Sequence, residues 1–225
     1  MPALRFSRNT ALLTILLATI WFAIPKATVA QDRAKVNKLL AKLTDNLPDS
    51  TRYLYLSRLA AQYWYTNMDT ALLYANKALL VAKQSRSEAL LAKAYQLFGS
   101  IYSDFDPGKA IGYIYKALPM CERLGNEQGI MICYNDLGLC FMVLDKKEQA
   151  EQMFDKALVY AYKLRRTYHV SYLVGNKGRM QFEQNKYDSA MLCFRLACKL
   201  DLQNVDSLSY GQNLINIGSV YAAQN

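Results

Sequence analysis

Few residues in this 225-residue chain are of a type that does chemistry, and their spacing assembles no reaction centre. His169 is the single histidine, in Thr167-Tyr168-His169-Val170 at the expected start of a helix, with no Cys or acidic residue close in sequence. An imidazole acts as a base or a ligand only with a partner to orient it, so a lone one reads as a surface residue. The five cysteines, Cys121, Cys133, Cys140, Cys193 and Cys198, match no zinc spacing, and an odd number cannot all pair within one chain. Each lies in an apolar helical stretch, where a free thiol packs as a small hydrophobe. A bridge between different helices remains an alternative. Cys133 and Cys140 stand seven apart on one helix, too far along it to bond. There is no His-Glu-x-x-His, phosphate loop, dinucleotide fingerprint or Gly-x-Ser-x-Gly elbow. Asp104, Asp106 and Glu148 read as turn and cap residues. No catalytic residue, metal ligand or cofactor is expected.

What the chain does carry is a pattern that positions helices. The pairs Leu59-Ala60, Phe98-Gly99, Leu137-Gly138, Lys177-Gly178 and Ile217-Gly218 recur at spacings of 39, 39, 40 and 40 residues. In the third copy Tyr134, Leu137, Gly138 and Phe141 fall at offsets of 3, 4 and 7, one stripe of a helix. Asp145 and Glu148 form a capping-box pattern for the next helix, which presents Ala150, Phe154 and Ala157. A glycine inside a helix costs about 1 kcal/mol relative to alanine, so its return demands close approach of the paired helix. Small-bulky-small then lets Phe154 enter between the helices. Copy one has Leu59, Ala60 and Tyr63, then Ala71, Ala75 and Ala78. Copy two has Tyr95, Phe98, Gly99 and Tyr102, then Ala110, Ile114 and Ala117, with Asp106-Pro107 as cap and first helical residue. Copy four has Gly178, Ala190, Phe194 and Ala197, but Lys177 and Gln181 replace an apolar and an aromatic residue. Copy five offers Leu214, Ile217, Gly218 and Tyr221, and no second helix follows. The chain has seventeen tyrosines, Tyr53, Tyr55, Tyr63 and Tyr65 along copy one among them; they read as packing residues inside the stacks, with an interface role as the alternative.

Leu/Phe-Gly-x-x-Tyr/Phe followed by Ala-x-x-x-Phe-x-x-Ala resembles the tetratricopeptide repeat (TPR) over roughly residues 50–222. The usual unit is about 34 residues; units of 39 to 40 resemble the extended variant of exported or sensor-attached bacterial repeat regions. The family's closing proline is absent, with Tyr162 and Leu202 near that place. The resemblance implies an all-α fold, a right-handed superhelical solenoid of antiparallel helix pairs. Its units span about 53–85, 92–124, 131–164 and 171–204, with a half unit at 211–225. The whole repeat region covers 49–225, behind an N-terminal helix and linker at 31–48. Such repeats hold a peptide or protein in the concave groove of their first helices. The positions that resemble groove-facing ones are Ser57, Ala61 and Trp64, then Gln96, Ser100 and Ser103, then Asn135, Leu139 and Met142, and finally Arg179 and Phe182. Only Asn135 and Arg179 suit a carboxylate clamp, so the set suits an apolar or aromatic-containing segment better.

Residues 1–30 have the composition of a signal peptide: Arg5 and Arg8, an apolar run over 11–25, and Thr28-Val29-Ala30 before Gln31. An uncleaved N-terminal anchor is the alternative. Removing them takes away three basic residues and no acidic one, lowering the net charge from +9 to +6. The remaining Lys and Arg are scattered, Arg165-Arg166 and Lys163 included, whereas a nucleic-acid surface clusters them. No nucleic-acid partner is expected. The reading is a non-enzymatic extracytoplasmic scaffold for a protein or peptide, exported to the periplasm or cell envelope. Membrane attachment comes only through an uncleaved N-terminus or a missing C-terminal region. The alternative is the periplasmic sensory input of a larger membrane-bound signal-transduction protein, of histidine kinase or transcriptional regulator type, cut at residue 225.

Overall fold

The structure is a computed structural model that describes residues 33–44, 46–64 and 66–224. The expected signal segment lies outside the described residues. Ten helical segments are described: α1 (33–41), α2 (Asp49–Tyr63), α3 (Met68–Gln84), α4 (Glu88–Tyr102), α5 (Pro107–Arg123), α6 (Glu127–Val143), α7 (Lys147–Lys163), α8 (Thr167–Glu183), α9 (Tyr187–Asn204) and α10 (Ser207–Gln224). The fold is an all-α solenoid of successive antiparallel pairs. The first helices α2, α4, α6, α8 and α10 begin 39, 39, 40 and 40 residues apart, the period of the sequence.

Two compact units divide the chain, one ending at Tyr74 and one running from Ala75. In the first, Tyr53, Leu56, Leu59, Ala60 and Ala71 are buried, and the Tyr53 hydroxyl is pushed upward in pKa by burial. Tyr63 and Tyr74 stack at 5.9 Å, and Asn67 caps α3 through the Thr70 amide at 2.9 Å.

The second unit is built on knobs seated over glycines. A Cβ on Gly99 would stand 2.6 Å from Ile114 Cγ1. On Gly138 it would stand 2.6 Å from Phe154 Cε1, and on Gly178 2.7 Å from Phe194 Cε1. Ala110, Ala117, Ala150, Ala157, Ala190 and Ala197 flank these knobs and are buried with them. The departures of the fourth copy have their own partners. Lys177 Nζ pairs with Asp155 at 2.6 Å and Glu151 at 3.6 Å on α7, and Gln181 Oε1 accepts the Cys193 thiol at 3.5 Å.

Caps follow the sequence in part. Ser87, Asp106, Asn126 and Asp206 accept first-turn amides of α4, α5, α6 and α10, with Pro107 at the first position of α5. Asp145 corrects its expected role. It stands at φ +54°, and Lys146, without a side-chain bond, precedes α7. Gly125, Asp145, Arg165, Asn185 and Val205 all occupy this left-handed conformation, at 20-residue intervals. After each, the next amide bonds back to a carbonyl five residues earlier, as Lys146 N–H does to Phe141 O at 2.8 Å and Asp206 N–H to Asp201 O at 3.0 Å. This Schellman turn satisfies the helix end with backbone alone, which removes the need for a closing proline.

Candidate functional site

In the second unit the first helices α4, α6, α8 and α10 lie side by side, and polar side chains join them in series. Gln96 Nε2 donates to Gly129 O at 2.7 Å and to Cys133 Sγ at 3.5 Å. The Ser100 hydroxyl donates to Asp136 Oδ2 at 2.5 Å, Asn135 Nδ2 to Asp136 Oδ1 at 3.1 Å, and Asn176 Nδ2 to Asn135 Oδ1 at 3.0 Å. Asp136 is buried, and that burial pushes its carboxyl up to about 6, against the opposing pull of the Ser100 and Asn135 donors. Farther along, Asp201 accepts from the Ser171 hydroxyl and, at 2.8 Å, from Asn213 Nδ2. Buried polar groups need such partners, and here they come from adjacent repeats.

Two clefts open on this helix row. The first, of about 530 Å³, is lined by Ala89, Lys93, Gln96, Leu124, Asn126, Gln128, Gly129 and Ile132 between α4 and α6. The second, of about 190 Å³, is lined by Arg179, Phe182, Glu183, Phe194, Asn216 and Ser219 where α8, α9 and α10 meet. Leu139 and Met142 are half-buried on α6.

The expected groove positions therefore fall into distinct places. Gln96 lines the first cleft, with its amide bonded across to α6. Arg179 and Phe182 line the second. Ser100 and Asn135 belong to the inter-repeat chain, and Ser103 is buried with its hydroxyl on Ser100 O at 2.8 Å. In the other unit Ser57 bonds Leu54 O at 3.0 Å, Ala61 is exposed and Trp64 is half-buried at the end of α2. Sequence reasoning missed Lys93, Gln128, Ile132, Glu183 and Asn216. A one-turn step from Gln96 and Asn135 reaches Lys93 and Ile132, so helical periodicity could have found those two.

The residues that could do chemistry stay dispersed. Among the described residues no group of three or more His, Cys, Asp or Glu could hold a metal ion. All five cysteines are free; burial pushes the Cys140 thiol up to about 12, and the Cys121 thiol together with burial raises Cys133. A thiol held in its neutral form is a poor nucleophile. His169 is depressed by burial and by Arg166 and contacts the Tyr168 ring edge-on.

The geometry defines the class: a TPR-like helical-repeat protein with an inner-helix face and no assembled reaction centre among the described residues. No family model and no curated protein sequence matches the chain. Solved structures share its fold. The Rap protein complexed with competence and sporulation factor superposes with a TM-score of 0.73 at 16% identity, over 84% of this chain and 52% of that one. NprR in complex with its cognate peptide NprX gives 0.67 at 17% identity, over 97% and 63%. BtubC from P. vanneervenii gives 0.64 at 23% identity, over 88% and 82%. The chain thus spans about half of the Rap protein and under two thirds of NprR.

The expected periplasmic or cell-envelope location is corrected by these findings. The Rap and NprR regulators that share the fold are not periplasmic proteins. No helix among the described residues is long and apolar enough to cross a membrane.

Proposed function

We propose that the chain is a non-enzymatic repeat scaffold that holds a protein or peptide segment along its concave inner-helix face. The observation that carries this reading is the division of labour among polar groups on that face. Ser100, Asn135, Asp136 and Asn176 are committed to bonds between repeats and fix the spacing of α4, α6 and α8. Lys93, Gln128, Arg179, Glu183 and Asn216 line open clefts at either end of the row, with Leu139 and Met142 on α6 in the middle of the row. A rigid row with polar ends and a partly apolar middle suits an extended segment that anchors apolar side chains centrally. Two proteins of the same fold, the Rap protein and NprR, were solved with a competence and sporulation factor and with a cognate peptide, which supports the same use here. Mixed-sequence extended peptides on an array select a ligand, and calorimetry with the purified chain measures it. Arg179→Ala and Ile132→Arg should each weaken binding by about tenfold, roughly 1.4 kcal/mol. Peptides that bind both variants as they bind the parent protein would remove this face from the function.

A second reading, the input region of a longer signalling protein, is supported by the partial coverage of the Rap protein and NprR. An antibody to the repeats distinguishes them: a native product near 25.6 kDa favours the scaffold, and a much larger one favours the input region.

A further inference from the structure

Two of the free thiols meet across the boundary between the second and third repeats. The Cys121 sulfur, near the end of α5, lies 2.7 Å from the point where a Cβ on Gly129 would stand. Cys133 follows Gly129 by four residues on α6, so it lies one turn along the same face. Cys121 thus fills the place of a missing side chain next to the second thiol. Gln96 holds the same two residues of α6, donating to Gly129 O at 2.7 Å and to Cys133 Sγ at 3.5 Å. The repeat supplies an independent measure of this pairing. Two periods further on, Asp201 and Asn213 occupy the equivalent places on α9 and α10, and their side chains bond at 2.8 Å. At the junction between, Ala161 and Leu173 belong to one buried cluster. The two positions face each other at these three junctions, and only in the first of the three do both carry thiols.

We propose that Cys121 and Cys133 are a reversible redox pair, which a peroxide converts to a disulfide joining α5 to α6. The two thiols are chemically unequal. The Cys133 thiol donates to the Cys121 sulfur and holds it below the ordinary thiol range, against the opposing effects of burial and Glu122. The same contact, together with burial, holds Cys133 above that range. Cys121 is therefore the attacking sulfur, because the thiolate is the nucleophile. It attacks one peroxide oxygen, the O–O bond breaks, and the departing oxygen takes the thiol proton and leaves as water. Cys121 is left as a sulfenic acid. The Cys133 sulfur then attacks the Cys121 sulfur, the S–O bond breaks, and the departing hydroxyl takes the Cys133 proton as a second water. Peroxide is reduced, two thiols are oxidised, and no further reactant is needed. The route in is the first cleft. Gln96, Asn126 and Gly129 line it, and Asn126 Nδ2 also stands 2.7 Å from the open Gly129 position. The pair lies behind that wall, within reach of a molecule as small as hydrogen peroxide when the Asn126 side chain swings aside. The inference stands apart from the peptide-binding reading, because it needs no ligand.

Mapping the bridges formed by the reduced full chain tests it. Hydrogen peroxide is added to the chain in buffer and in urea, the remaining thiols are alkylated after denaturation, and non-reducing peptide mass spectrometry locates each link. The native chain should give one link within the chain, Cys121 to Cys133, which dithiothreitol cleaves, with Cys140, Cys193 and Cys198 alkylated. The unfolded chain should spread its links and favour the short loop from Cys193 to Cys198, since closure then follows chain separation alone. Cys133→Ser keeps a donor beside Cys121 but cannot close the bridge, so dimedone should label Cys121 after peroxide. Cys121→Ser should give no link and no adduct on Cys133. The wild-type map decides the question without either variant. A native chain without the link, the same spread of links in buffer and urea, or a link between copies overturns the proposal. So does a folded Cys133→Ser chain whose Cys121 stays unlabelled.

Discussion

Gly138 is the floor on which the ring of Phe154 rests: three ring atoms lie within 2.9 Å of the point where a Cβ would stand. Phe154 is fully buried between alanines, so the ring has no room to retreat. Gly138→Ala should therefore destabilise the protein by about 1–3 kcal/mol despite alanine's better helix propensity, because the core must overpack. Gly218→Ala at the equivalent but open position should change stability in the opposite direction, by up to about 1 kcal/mol. Urea titrations of both variants, at a low protein concentration, check the contrast. Equal midpoints for the two would reject the knob-over-glycine account.

This relationship was legible in the sequence, because a helical glycine facing a small-bulky-small row has one economical explanation. The 39- and 40-residue period and the helix pairs came from the same signal. The turns were not legible. Their left-handed residues are Gly125, Asp145, Arg165, Asn185 and Val205: Gly, Asn and Asp enter that conformation readily but Arg and Val do not, and the Schellman bonds are made by backbone and not by side chains, so no one residue type marks all five. The inner face was half legible. The resemblance to the repeat family suggested Gln96, Ser100 and Asn135 for it, but their partners, Gly129, Asp136 and Asn176, lie on neighbouring repeats, and no local pattern announces which polar group will be matched. The compartment inferred from residues 1–30 rested on composition alone, and the folds the chain shares did not follow it.

Val205 is the least suitable occupant of such a turn. Its φ is +55° and its side chain is 90% exposed, so a β-branched residue holds a left-handed conformation with no packing in return. That conformation costs an L-residue roughly 1–2 kcal/mol. Val205→Gly should stabilise the protein by about 1 kcal/mol once the extra freedom of the unfolded glycine is counted, raising Tm by about 2–4 °C. Scanning calorimetry reads this directly, and a lowered Tm would contradict the turn geometry.

Asp136 sets a pH dependence with a definite sign. Its folded-state value near 6 lies above the ordinary 3.8, because burial disfavours the carboxylate. The group's contribution is thus fully present below about pH 4 and is lost as pH rises through about 6. Asp136→Asn keeps the shape, and the Ser100 hydroxyl can turn to accept from the new amide. The variant should gain about 1–3 kcal/mol on the parent above pH 7, and the gain should shrink as pH falls to 4. Urea midpoints at pH 5 and pH 8 test this. A difference between the proteins that does not vary with pH would remove Asp136 as its source.

Asn213 ties α10 to the helix before it. Its amide donates to Asp201 Oδ2 at 2.8 Å, the Ser171 hydroxyl donates to the other carboxylate oxygen, and all three side chains are buried. Close packing holds the arrangement in register, since a Cβ on Gly175 would lie 3.2 Å from Asn213 Oδ1. Asn213→Leu removes a donor and leaves one oxygen of a buried carboxylate unpaired, a loss of about 1–3 kcal/mol or more. Because the lost bond joins α10 to α9, amide exchange should quicken across Ser207–Gln224 while α6 and α7 keep their protection. Adding Asp201→Leu removes the orphaned acceptor, and Ser171 still has Ala197 O at 3.1 Å. The double variant should then recover part of the stability lost by the single one. Uniform loss of protection along the whole chain, or a double variant weaker than the sum of its parts, would show that the carboxylate does not act as the local fastening of α10.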